Sequence, residues 1–100
     1  MTIKDAITRA HKTAVDKGFW RGVERNDKHL VVLLALVIAE VGEAIEELRV
    51  GNRVMAETEL ADIAIRLFDL AGGYEIDLEK RILDKMAKND LRPQKHGKEF

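Results

Sequence analysis

One hundred residues fill one domain and leave no material for a second core. A hydrophobic fraction of 46% with a single proline excludes a disordered chain, and 17 basic residues against 18 acidic ones leave a net charge of -1, with no general basic surface for nucleic acid or an anionic membrane. The chain has no cysteine, which excludes a disulfide framework and a thiolate zinc site.

Thr2 with Asp5 three residues later is an N-cap signal, and Ile3, Ile7, Ala10 and Ala14 give a helical stripe that Gly18 ends. Helix 1 is therefore expected over 3–17. The N-terminus, MTIKDAITRAHK, is charged and amphipathic and lacks the apolar core of a secretion signal. Residues 19–28 read as a polar connection carrying the only tryptophan. Of the aromatic pair there, Phe19 is the expected core member, while Trp20 has two open readings, stacking on a nucleobase or capping the core. His11 and His29 read as surface residues.

Helix 2 is expected from Asp27 or Lys28 to about Val50, with Arg49 set against the helix dipole and Gly51 as a left-handed cap. Its longest apolar run, 30–39, is about half of what a membrane span requires, so the chain reads as cytoplasmic with no membrane partner. The first part of this helix is apolar all round and predicts burial on several sides, in part against another subunit. A homodimer or a dimer of dimers, that is a homotetramer, follows. Helix 3 is expected from about Val54 to Ala71, stopping at Gly72 and Gly73, and Asp77 caps a helix 4 carried by Leu78, Ile82, Leu83 and Met86. From residue 89 the chain reads as an irregular basic tail. The fold expected is all-α, a single four-helix bundle-like domain over 1–100, with helices 2 and 3 as an antiparallel acidic hairpin.

Projection at about 100° per residue puts Leu33, Leu36, Glu40, Glu43, Ala44 and Glu47 on one face of helix 2, so three carboxylates continue an apolar stripe. Helix 3 repeats the anomaly, with Glu59, Asp62, Ile63, Arg66 and Leu70 together. If the two helices run antiparallel, Glu40, Glu43, Glu59 and Asp62 converge across their seam. Like charges buried together cost several kcal/mol per ion without compensation, at about the scale of ion desolvation. A divalent cation supplies that compensation, and hard oxygen ligands select Mg2+, with Mn2+ able to substitute, over zinc. The competing reading is a set of surface ion pairs, such as Asp62 with Arg66 at i,i+4 spacing. Glu46 falls off the shared face and reads as solvated.

The stretches LVIAEVGEAIEELR and ELADIAIRLFDLAG, with fifteen residues between Glu43 and Glu59, resemble the E-x-x-E then E-x-x-D signature of MazG-like nucleotide pyrophosphohydrolases. The closing segment KMAKNDLRPQKHGKEF is similar to the end of the same group. This resemblance implies a magnesium-dependent hydrolase of nucleotide metabolism that cleaves a nucleoside triphosphate between its α and β phosphates. It further implies Glu40, Glu43, Glu59 and Asp62 as metal ligands. Many relatives carry another glutamate where this chain has Ala39, so the general base falls to Glu43 or Glu47.

A triphosphate carries about four negative charges, only part of which metals neutralise. Lys85 and Asn89 share a face of helix 4 at i,i+4 spacing, and Arg92, Lys95 and Lys98 follow; with Trp20 they form the expected substrate-binding set. His96 reads as a structural or phosphate-proximal residue rather than a base. Two alternatives stand beside the triphosphate reading. One is hydrolysis of phosphoribosyl-ATP on a similar acidic scaffold, against which the RPxKHGK tail argues. The other is a non-catalytic helical dimerisation module whose acids bind metal for stability.

Overall fold

A computed structural model of the single chain describes residues 1–93. Among these every regular element is helical: α1 (Ile3–Asp16), α2 (Asp27–Arg49), α3 (Arg53–Gly73) and α4 (Leu78–Asp90). Each start has a local cause. Thr2 and Asp5 form a reciprocal capping box at α1. Asn26, Asn52 and Asp77 accept from the amides of His29, Met55 and Lys80 at the next three starts.

Two boundaries differ from expectation. Helix α3 runs through Gly72 and Gly73 instead of stopping before them, because these glycines serve close packing. A Cβ on Gly72 would lie 2.5 Å from the His11 Cβ, and one on Gly73 would lie 2.2 Å from the Trp20 ring. Glycine here lets α1 and the following turn approach α3. Helix α4 extends to Asp90, so residues 89 and 90 belong to it rather than to the tail.

Helix α3 is the centre of the molecule, packing closely against both α2 and α1, while α4 touches α1 only lightly. Among the described residues the buried apolar side chains are few and mostly small: Ala14, Ala44, Ala56 and Ala71, with Leu70 and Trp20 the only large ones. The radius of gyration is 16.1 Å, against about 13 Å for a compact chain of this length. Four helices therefore form an open arrangement rather than a closed bundle. Within one chain the expected burial of α2 is not met: Val31, Val32, Leu34, Leu36 and Ile38 are exposed, Ile38 to 72%. No helix among the described residues is long and apolar enough to cross a membrane.

The aromatic pair at 19 and 20 reverses expectation. Trp20 is only 8% exposed and Phe19 is 70% exposed. The indole N–H donates to Asp69 Oδ1 at 2.9 Å, and the same oxygen lies 2.9 Å from His11 Nδ1. Arg25 lies over the Trp20 ring at 4.8 Å and donates to the Gly73 carbonyl at 2.7 Å. His29 and Tyr74 complete the packing around the indole, with His29 Nδ1 2.6 Å from the Tyr74 hydroxyl. His11 and His29 are thus half-buried members of this cluster and not surface residues. Tryptophan is preferred inside because its N–H has a carboxylate partner there.

Candidate metal centre and adjoining groove

Residues 50–52 join α2 to α3, and the close packing of these helices brings their acidic positions together. Glu40 and Glu43 stand one turn apart on α2, and Glu59 faces them from α3. Each offers a carboxylate oxygen within 4.8 Å of the others. Glu40 and Glu59 are half-buried and Glu43 is exposed.

Such proximity redistributes protons and charge. A hydrogen bond from Arg66, whose Nε donates to Glu40 Oε1 at 2.8 Å, holds Glu40 below the usual carboxylate range. Glu59 moves the other way, to about 7, first through a hydrogen bond shared with Glu40 and then through burial and the charges of Glu43, Glu40 and Asp62. Its Oε2 is sealed from solvent and meets no hydrogen-bond donor among the described residues. A carboxylate oxygen left in that position lacks the positive partner that burial demands. Three oxygen donors of this kind fit a hard divalent cation such as magnesium or manganese.

Asp62 lies outside the close triad and is exposed, but its charge acts on Glu59 and its side chain lines the adjoining groove. Glu47 is half-buried one turn beyond Glu43 and is not part of the triad. The i,i+4 pair of Asp62 with Arg66 does not form; Arg66 crosses to Glu40 on the other helix. Glu46 is solvated as expected, beside Arg49 at 3.5 Å.

The groove, about 800 Å³ in volume, is lined by residues of α1 and α3 together with Glu40 of α2. Arg9 from α1, Lys17 just after it and Arg66 from α3 supply cations to the lining, while Phe19, Ile65 and Phe68 supply apolar wall. This volume lies within the range of small-molecule sites, about 300–1,000 Å³. The sequence reading missed Arg9, Lys17 and Arg66 as groove residues. A signal was present in the chain for one of them: Lys17 continues the 3, 7, 10, 14 spacing of the apolar stripe and puts a cation where that stripe would otherwise go on.

The other expected contacts are distributed differently. Lys85 and Asn89 on α4, and Arg92 just after it, are exposed and do not line the groove. Lys95, His96 and Lys98 lie outside the described residues. Trp20 is 8% exposed, with its N–H on Asp69 and Arg25 over its ring, and it does not line the groove, an arrangement in keeping with the core-capping reading of this residue. No protein-family model, curated protein or solved structure matches the chain.

Proposed function

We propose that the chain is a magnesium-dependent pyrophosphohydrolase that cleaves a (deoxy)nucleoside triphosphate between the α and β phosphates, giving the monophosphate and pyrophosphate. The observation that carries this reading is the triad Glu40, Glu43 and Glu59, with a sealed and unpartnered Glu59 oxygen, next to a groove with cationic walls. Glu40, Glu43 and Glu59 are assigned as metal ligands, with Asp62 completing the set from the groove side. When bound, magnesium, or manganese in its place, polarises the phosphoryl oxygens and lowers the pKa of the attacking water.

The remaining chemistry belongs to the chain. Glu43, exposed where its two neighbours are half-buried, is assigned to orient the water or accept its proton, and Glu47 is the alternative one turn on. Arg9 and Lys17 draw the phosphate chain into the groove, and Phe19 rather than Trp20 offers an open aromatic face to the base. Helix α2 supports assembly as a homodimer or dimer of dimers, because its exposed apolar side chains need a cover that one chain does not give.

The test is a panel of canonical and damaged nucleoside triphosphates, with phosphoribosyl-ATP alongside, incubated with the purified chain and magnesium. Equimolar pyrophosphate and monophosphate are expected from at least one triphosphate, and Glu43→Gln and Asp62→Asn should abolish that release while the helices persist. Release of orthophosphate, or of nothing, from the whole panel refutes the proposal.

A further inference from the structure

The acidic triad already has a cationic neighbour that belongs to the chain. Arg66 reaches Glu40 through Nε alone, and among the described residues its terminal nitrogens carry no hydrogen bond. The arginine side chain is 44% exposed while Glu40 is 14% exposed, so the guanidinium is the partner with room to move. It also lines the groove that Arg9, Lys17, Glu40 and Asp62 line.

Resting on the pyrophosphohydrolase reading, we propose that Arg66 and a divalent cation compete for the same oxygen of Glu40, and that the guanidinium so displaced is taken up by the phosphate chain of the ligand in the α1–α3 groove. Magnesium binds carboxylate oxygens at about 2.1 Å, closer than the 2.8 Å of the arginine contact and with twice its charge. Where the three carboxylates together offset its dehydration, such a cation would take that oxygen in place of the guanidinium. A guanidinium beside a divalent cation is repelled by it, and the long exposed side chain can leave without disturbing the helix. Its planar fork matches two phosphate oxygens, which the single Nε contact to Glu40 leaves unused. Asp62, four residues before Arg66, does not hold it back, since that ion pair is not formed. Metal and anion are thereby linked: the metal releases the arginine, and the anion stabilises its released position.

Arg66→Gln separates the two halves because they respond with opposite sign. Mn2+ binding to the full chain, followed by the electron paramagnetic resonance of free Mn2+, should tighten about fivefold in Arg66→Gln relative to wild type. At saturating Mn2+, binding of a fluorescent α,β-imido deoxynucleoside triphosphate, followed by anisotropy, should weaken about tenfold. Arg66→Lys, which keeps the charge and loses the fork, should lie between on both measurements, and it carries the comparison should Arg66→Gln fail to give a cooperative melt. A merely structural role for Arg66 would weaken both ligands together. Mn2+ affinity that is unchanged or weaker in the variants overturns the inference, as does analogue binding that ignores them. Wild-type protein that binds no Mn2+ at all instead removes the metal reading on which the inference stands.

Discussion

Gly73 and Glu59 show how single positions in this chain answer to neighbours far away in sequence. A methyl group at Gly73 would meet the Trp20 ring at 2.2 Å, where the indole is held by its bond to Asp69. Gly73→Ala is therefore expected to destabilise the fold by about 1–3 kcal/mol, the range for overpacking, measurable by urea denaturation. Glu59 titrates near 7 in the fold against 4.5 for the free side chain, so the folded state favours its protonated form. Below 4.5 both states hold the proton; between 4.5 and about 7 the folded state binds more, and stability from this group is lost as pH rises. Thermal melts without divalent metal should therefore fall in midpoint across this window. Glu59→Gln should flatten the slope, and a slope that survives the substitution would assign it to another group. Because a metal competes with that proton, Mn2+ affinity should rise over the same window and level off above it.

At the scale of elements, α2 carries the clearest expectation. Ile38 is 72% exposed on a helix whose apolar side chains continue through Val41, Ile45 and Leu48, also exposed in one chain. Ile38→Glu should leave the helices in place and shift the sedimentation profile from a dimer or larger assembly to the monomer. An unchanged profile would move the interface elsewhere. Helix starts were legible in the sequence because caps are local: Thr2 with Asp5, and Asp77, act within three residues. The end of α3 was not, because Gly72 and Gly73 look like a stop to any local rule. Their actual purpose is contact with His11 and Trp20, some fifty to sixty positions away. Phe19 and Trp20 were exchanged for the same reason: the indole's burial depends on Asp69, which adjacency in sequence does not reveal. The acidic face of α2 was legible from helical periodicity, since Glu40 and Glu43 do meet Glu59. The pairing of Arg66 was not, because i,i+4 spacing offered Asp62 and the cross-helix partner Glu40 took it.

Across the whole molecule, a thin core and an open groove have a common physical origin. The described residues bury mostly alanine around Trp20 and Leu70, and the radius of gyration of 16.1 Å exceeds that of a closed bundle of this size. Such a chain gains from any ligand that binds only its folded form, so saturating Mn2+ should raise the melting temperature, by an increment that grows with the logarithm of metal concentration. Glu59→Gln should remove most of that increment. The acidic triad is the point where assembly, metal and substrate meet in this scheme, because α2 supplies both the exposed apolar face and two of the three carboxylates. The most direct measurement is a crystal structure of the chain grown with Mn2+, with anomalous differences collected at the manganese edge. A peak is expected within about 2.2 Å of oxygens from Glu40, Glu43 and Glu59, with Arg66 drawn away from Glu40. Full diffraction data with no peak there, and with the arginine still on Glu40, would contradict the assignment of this cluster as a metal centre.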